Sequence, residues 1–378
     1  MVTSLKSNSV WSSSGKKMML APLACSFFLS IAPVSINVAT PYLGDLEHGA
    51  EVMNSRLIDG KLYLVGRFQK ANRKTVNNVV VWDGSSWAGL GKGVDGIAYD
   101  ICKVGEDIYV CGDFSYAGKS TDEPGVMANR IARWDGKKWN ALAKNTVDRE
   151  IFALATDGKS LFVGGNFTKI NDETETKAVA KWNGTKFEAM GGKFDRYIKT
   201  MVWANDKLYV GGYFKNFGDD EMLNAAVWDG SSWSEMGSGG INGTIKQFSS
   251  DGKDVYAAGE FKVGGKSGIA KFDGSKWTNV VETSDSPSWV YASEGKIYLA
   301  GPFSTVAGKV SYGVAIVDGN SVKTLNEVPY GIHRIVLPFK DHFIIGGSYG
   351  DVRNDQIGGV LKWDGTSSID KLNLVSGQ

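Results

Sequence analysis

Short apolar runs separated by Gly-rich turns fill most of the chain, and two of these runs recur together seven times. The first run ends in Gly-x-Phe, as in residues 62–68, and the second ends in Trp-Asp-Gly, as in residues 82–84. The closing glycine of the first run stands at positions 66, 112, 165, 212, 259, 301 and 347, so the repeat is 42 to 53 residues long. A strand-containing repeat of this length is typical of a β-propeller blade.

Each repeat predicts four strands. In the third copy, apolar runs cover residues 151–155, 161–165, 178–182 and 187–190. Asp157-Gly158 joins the first two runs and Asn183-Gly184 joins the last two, and such pairs favour tight hairpins because both residues tolerate φ > 0. No segment between residues 50 and 375 has a sustained helical period. We therefore predict an all-β chain, with residues 40–378 forming a single seven-bladed β-propeller of four-stranded antiparallel blades.

Composition supports this fold and limits the partners. Apolar residues make up 42% of the chain and include 12 Trp, enough for a large core. The Trp residues recur so regularly that they indicate packing between blades rather than ligand contact. The net charge is +1, with Lys and Arg spread along the repeats, so we predict no nucleic-acid partner.

The N-terminal segment differs from the repeats. Residues 1–17 are mostly polar and end in Lys16-Lys17, whereas residues 18–39 carry no charge. A basic step before an apolar stretch is typical of a secretory signal, and the stretch is also long enough to span a bilayer as an uncleaved anchor. Pro22 and Pro33 would weaken a membrane helix. We therefore favour a signal peptide over a signal anchor for residues 1–39. We predict a secreted or cell-surface protein, which meets a membrane only through residues 18–39 and only if that segment is uncleaved.

The repeated motif resembles a known family. Residues 208–214 read Leu-Tyr-Val-Gly-Gly-Tyr-Phe, and residues 131–142 read Ile-Ala-Arg-Trp-Asp-Gly-Lys-Lys-Trp-Asn-Ala-Leu. These strings resemble kelch-like repeats of the galactose-oxidase central-domain type, and more closely the repeats of secreted bacterial surface propellers and of fungal cortical polarity-marker ectodomains. The resemblance covers residues 51–375 and implies a propeller. Copies six and seven depart most, with Val317 in place of Trp and Tyr349 in place of Phe. The fold hosts many unrelated functions, so the resemblance names no ligand.

Strand order predicts which face binds ligand. Antiparallel order puts the short turns on one face, here called the short-turn face. The longer loops at 115–130, 168–178, 215–224 and 350–358 then lie on the opposite, long-loop face, where binding is usual. The first residues of the innermost strands would ring the axis on that face. They give the candidate ligand-binding residues Tyr99, Asp100, Arg149, Glu150, Arg196, Tyr197, Trp289, His333 and Arg334. Such a rim suits a sugar or a protein loop, although a solvated surface explains any single member equally well.

The sequence gives little support for catalytic activity or for a metal site. The chain has three His, at 48, 333 and 342, and lacks His-Glu-x-x-His and Cys-x-x-Cys motifs. We predict no metal and no cofactor. A carbohydrate-active enzyme would need convergent carboxylates, for which Asp100 and Glu150 are the candidates.

Two modifications are also predicted. If a turn at Glu106-Asp107 joins the first two strands of the second blade, Cys102 lies opposite Cys111, and a disulfide is expected in an oxidising compartment. Two buried free thiols are nearly as plausible. Asn166, Asn183 and Asn242 each start an Asn-x-Thr triplet, the acceptor pattern for N-glycosylation, although such triplets also occur by chance.

These observations predict a secreted or cell-surface propeller that acts as a binding or adhesion module and is not an enzyme. Its ligand would be a protein or a carbohydrate, held on the long-loop face. Two alternatives stay open: an extracellular carbohydrate-active enzyme with acidic residues at the axis, and a membrane-anchored structural or polarity scaffold.

Overall fold

The fold is seen in a computed structural model, which describes residues 50–71, 74–142, 147–171, 177–191, 193–237, 241–325, 331–349, 359–365 and 369–370. The chain divides into two compact units, Met1–Thr40 and Pro41–Gln378. The first unit, with the predicted signal segment, Cys25 and the apolar stretch 18–39, lies outside the described residues, as does the predicted loop 350–358. Within the described ranges there is no helix long and apolar enough to cross a bilayer.

The second unit contains seven four-stranded antiparallel sheets, one for each sequence repeat, so the predicted all-β propeller is confirmed. Each sheet takes its strands in chain order. Blade 1 contains Glu51–Ile58, Lys61–Arg67, Val79–Trp82 and Trp87–Gly89, and blade 2 contains Ile97–Val104, Asp107–Asp113, Ile131–Trp134 and Trp139–Ala141. Blade 3 contains Ile151–Thr156, Leu161–Gly165, Val179–Trp182 and Phe187–Ala189, and blade 4 contains Ile198–Ala204, Lys207–Gly212, Ala225–Trp228 and Trp233–Glu235.

Blades 5 to 7 follow the same order. Blade 5 contains Thr244–Ser250, Val255–Glu260, Gly268–Phe272 and Trp277–Glu282. Blade 6 contains Trp289–Ser293, Lys296–Ala300, Val314–Asp318 and Ser321–Thr324. Blade 7 contains Gly331–Phe339, His342–Tyr349, Val360–Trp363 and Ile369–Asp370. Among the described residues, four small hairpins extend the long-loop face of blades 1, 2, 4 and 6. They are Lys70–Ala71 with Lys74–Thr75, Tyr116–Ala117 with Val126–Met127, Asn216–Phe217 with Asp220–Glu221, and Thr305–Val306 with Lys309–Val310.

The ring closes by packing between the last and first blades. The seventh sheet is built from its own strands, and one apolar cluster runs through blades 6, 7 and 1, with Trp289, Trp363 and Leu64 among its buried members. Arg334 of blade 7 also forms an ion pair with Glu51 of blade 1. The alternative pairing of residues 36–46 with the last blade lies outside the described residues.

The repeated Trp residues join neighbouring blades, as predicted. The indole Nε1 of Trp139, Trp233 and Trp277 donates to a carbonyl of the preceding blade, at Leu90, Met190 and Met236 respectively, over 2.7–2.8 Å. Each therefore buries a large apolar ring while satisfying its one polar atom.

The Asp of each Trp-Asp-Gly step fixes its hairpin. In blade 2, Asp135 Oδ1 accepts the backbone N–H groups of Lys137 and Lys138, both at 2.9 Å. The bond from Lys138, then those from the Asn140 side chain and Lys137, lower the pKa of Asp135 to about 2. Asn183 accepts the equivalent bonds in blade 3, which explains why Asn replaces Asp there.

Candidate functional site

The innermost strands carry a repeated irregularity that shapes the axis. In six blades the pairing with the second strand shifts register near the strand's start, so one residue bulges out of the ladder. A bulge re-aims the side chain of its extra residue. The bulged residues are Met53, Tyr99, Phe152, Lys199, Lys246 and Arg334. The inner strand of blade 6 pairs with its neighbour without such a shift from Trp289 onward.

All six bulged side chains line one cavity on the axis. It holds about 260 Å³, and Asn54, Arg56, Asp100, Thr200, Tyr213, Gln247 and Trp289 also line it. We call this space the axial cavity. Because Tyr213 directly follows the second strand of blade 4, the cavity reaches the long-loop face. Four of the nine predicted rim residues, Tyr99, Asp100, Trp289 and Arg334, therefore line the same site.

The other predicted rim residues lie elsewhere. Arg149, Arg196 and Tyr197 line a separate space of about 100 Å³ between blades 3 and 4. Glu150 accepts a 3.4 Å bond from Asn166 and does not line the axial cavity.

His333 is not a rim residue, because the bulge after it turns Arg334 toward the axis. The His333 ring is 5% exposed and lies 3.2 Å from the Tyr349 hydroxyl through Nδ1.

An ion pair with a buried carboxylate, Arg56 with Asp100, lines the cavity. Asp100 is 2% exposed and accepts bonds from Arg56 Nη2 at 3.0 Å, Asn54 Nδ2 at 2.9 Å and the Leu154 backbone N–H at 2.9 Å. Arg56 also donates to the Leu154 carbonyl. Asp100 thus ties together the inner strands of blades 1, 2 and 3. Its lone pairs are occupied by structural donors, which leaves it poorly placed for acid–base chemistry.

An aromatic wall covers one side of the axis. Tyr99, Phe152, Tyr197 and Tyr213 contact one another in series, with ring centroids 5.4, 5.5 and 4.6 Å apart. All four rings are half-buried, so each keeps an accessible surface. Of these, sequence reasoning missed Phe152 and Tyr213, and it also missed Lys199 and Arg56. The first residues of each inner strand are readable from the repeat, but the bulge that turns the second, third or fourth residue of the strand toward the axis is not.

The predicted Cys102–Cys111 disulfide is wrong, since both cysteines are free and buried. The turn falls at Gly105-Glu106, one residue earlier than predicted, so Val104 pairs with Asp107. Cys102 then faces Tyr109, while Cys111 faces Asp100. The two thiols are diagonal rather than opposite, a geometry in which Cβ atoms lie too far apart for a disulfide. Burial raises the pKa of Cys102 to about 12.

The three glycosylation candidates differ in exposure. Asn183 and Asn242 are exposed, whereas Asn166 is half-buried beside Glu150. Glycosylation stays a prediction at each of them. The described residues contain no cluster of His, Cys, Asp and Glu able to hold a metal ion.

His333 predicts a pH-dependent stability. Burial lowers its pKa to about 4, against an ordinary 6.5. Between those values the unfolded chain takes up a proton that the folded chain excludes, so stability should fall by up to about 3 kcal/mol as pH drops from 6.5 to 4. Urea unfolding at pH 7 and pH 4.5 measures the loss, and His333→Gln should remove most of it. Burial also lowers the pKa of His342, so His342→Gln is the matched comparison. Equal losses in wild type and His333→Gln would contradict this prediction.

Comparisons with known proteins agree with the fold. A family model described as the Rax2 C-terminal beta propeller domain matches residues 135–293, from the outer hairpin of blade 2 to the inner strand of blade 6. This match supports the propeller and the predicted link to fungal polarity markers, while the kelch-like assignment stays a prediction. No curated protein matches the sequence significantly.

Solved structures share the architecture at low identity. The computationally designed Ika8 protein aligns with 12% identity and a TM-score of 0.52, covering 87% of this chain and 89% of its own. A GH74 xyloglucanase from Xanthomonas campestris gives 12% and 0.52, covering 85% of this chain and 52% of its own. The extracellular domain of the putative hybrid two-component system BT4673 from B. thetaiotaomicron gives 9% and 0.51, covering 82% of this chain and 40% of its own. At these identities the likeness concerns the fold alone. The propeller and its similarity to the Rax2 domain are consistent with a binding or scaffold module, and are compatible with a place at the cell surface.

Proposed function

We propose that this protein is a non-catalytic, cell-surface binding module that holds its ligand at the axial cavity. The observation that carries the proposal is the series of bulges. Six inner strands each direct one side chain into the same space, and those side chains combine apolar, aromatic and basic groups. A concave site with apolar walls and a few polar groups is the usual form of a ligand pocket.

The enzyme alternative has weaker support. Asp100 and Glu150, the candidate carboxylates, do not share the cavity, and Asp100 is bound to Arg56, Asn54 and Leu154. A pair of carboxylates that act together on a glycosidic bond must flank one substrate. The scaffold alternative depends on retention of residues 18–39, which lie outside the described part of the chain.

A binding screen with the full chain tests the proposal. Cell-surface proteins and glycans would be presented to wild type and to Lys246→Ser, which removes a charge from the cavity. Lys159→Ser is the matched control, because Lys159 is an exposed lysine on the short-turn face. We expect the cavity variant to weaken binding at least about tenfold, the value of one charged hydrogen bond, and the control to leave it unchanged. Equal binding by both variants would place the site away from the axis, and turnover of a bound glycan would contradict a non-catalytic role.

A further inference from the structure

The charges that line the axial cavity are balanced except at one position. Arg56 pairs with Asp100 at 3.0 Å, Lys246 pairs with Glu260 at 2.6 Å, and Arg334 pairs with Glu51. Lys199 has neither an ion-pair partner nor a hydrogen-bond acceptor among the residues that the structure describes. The cavity therefore carries one positive charge that its described neighbours leave uncompensated.

Lys199 is held against the aromatic wall. Its Nζ lies 4.7 Å from the centre of the Phe152 ring and 5.6 Å from that of Tyr99. Contact with two ring faces stabilises an ammonium group but satisfies none of its three donors. Burial, and next the nearby charge of Arg334, lower the pKa of Lys199. The charge of an anion placed between the two cations would act in the opposite direction and raise the pKa of Lys199 again.

Two further cavity residues carry buried donors without partners. Arg334 Nε and Trp289 Nε1 are enclosed and form no hydrogen bond within the described ranges. Because neither atom is exposed to the cavity, a ligand reaches neither of them directly. Lys199, by contrast, is partly exposed and lines the same cavity as Arg334 and Trp289. Its free ammonium donors select for a ligand that brings acceptors and negative charge.

We propose that the axial cavity binds an acidic sugar, with the carboxylate of a uronic acid residue received by Lys199 and the ring seated on Tyr99 and Phe152. A carboxylate supplies one negative charge, which matches the single uncompensated cation. The volume of about 260 Å³ lies just below the range of pockets for drug-sized ligands, so it admits one ring rather than a folded peptide segment. This inference rests on the proposed function, because it names the ligand class of the same site.

Glucuronate and glucose test the proposal, because they differ mainly in the carboxylate. Calorimetric titration of the full chain should detect binding of glucuronate and not of glucose. Lys199→Met should weaken glucuronate binding at least about tenfold, and Lys199→Arg should restore much of it. Lys159→Met, which removes an exposed lysine from the short-turn face, is the matched control. This variant should bind glucuronate as tightly as wild type does.

A second measurement uses only wild-type protein, so it does not depend on whether a variant folds. In wild-type protein with labelled lysine, NMR should show the pKa of Lys199 rising when glucuronate is added and unchanged with glucose. Equal binding of glucose, binding unaffected by Lys199→Met, or binding of N-acetylglutamate in place of glucuronate would each overturn the proposal. If glucuronate fails to bind while Lys246→Ser still abolishes binding of a screened partner, the ligand class is wrong and the axial site stands.

Discussion

Replacing Asp100 with Ala is expected to destabilise the propeller by about 3–5 kcal/mol, among the largest effects of any single substitution. The change leaves the Arg56 guanidinium partly buried without its carboxylate. It also removes the acceptor of Asn54 Nδ2 and of the Leu154 backbone N–H. Because these donors belong to blades 1 and 3, the loss affects contacts across three blades at once. Urea-induced unfolding at pH 7 measures the free energy of unfolding.

Two companion variants show whether the effect comes from the charge of Asp100 and from its buried position. Asp100→Asn keeps the size of the side chain but turns an amide N–H₂ toward existing donors, so it should also destabilise, by about 2 kcal/mol or more. Asp113→Ala removes an exposed carboxylate from the next strand and should change stability by no more than about 0.5 kcal/mol. Similar small losses for Asp100→Ala and Asp113→Ala would show that the buried pair does not hold the inner strands together.

Gly165→Ala should cost about 3 kcal/mol, although Ala is the smallest possible addition. A Cβ at Gly165 would lie far inside van der Waals contact of the Glu150 carbonyl oxygen and close to the Ile151 Cα. Both are backbone atoms of the inner strand beside the bulge at Phe152, so neither can move without disturbing the bulge. The repeated glycine is thus required by the same local geometry that shapes the axial cavity.

Gly158→Ala is the matched control for this prediction. Gly158 lies in the turn of the same hairpin with φ 87° and nothing within 4 Å of an added Cβ. Its cost is conformational and should be about 1–2 kcal/mol. Thermal and urea unfolding of the two variants compares a steric cost with a backbone cost. A loss at Gly165 no larger than that at Gly158 would contradict the close approach of the two strands.

The repeats predicted the blades well, for a physical reason. In blade 3 the strands predicted at 151–155 and 161–165 are found at Ile151–Thr156 and Leu161–Gly165. Hairpin turns depend on local residues with φ > 0, and strand pairing follows from the turns, so both are written in short stretches of sequence. The Trp residues were also assigned correctly to packing, since bulky rings at a constant period must meet the same neighbour in each blade.

The site was predicted only in part, because it depends on register. A bulge turns the second residue of the inner strand toward the axis in blades 3 and 4, which brings in Phe152 and Lys199. The bulge at Arg334 in blade 7 leaves His333 turned inward. The turn between the first two strands of blade 2 lies one residue earlier than predicted, and Cys111 therefore pairs with Asp100 rather than with Cys102. A bulge depends on how the two strands pair, and the alternation of apolar and polar residues does not specify which residue leaves the ladder.

We propose that the ligand is held at the axis, between the aromatic wall and Lys199. The most direct test is a crystal structure of the protein soaked in methyl glucuronide. We expect density for one sugar ring against Tyr99 and Phe152, with a carboxylate oxygen at hydrogen-bond distance from Lys199 Nζ. An empty axial cavity at a saturating ligand concentration, or a sugar bound only among the outer loops, would contradict it.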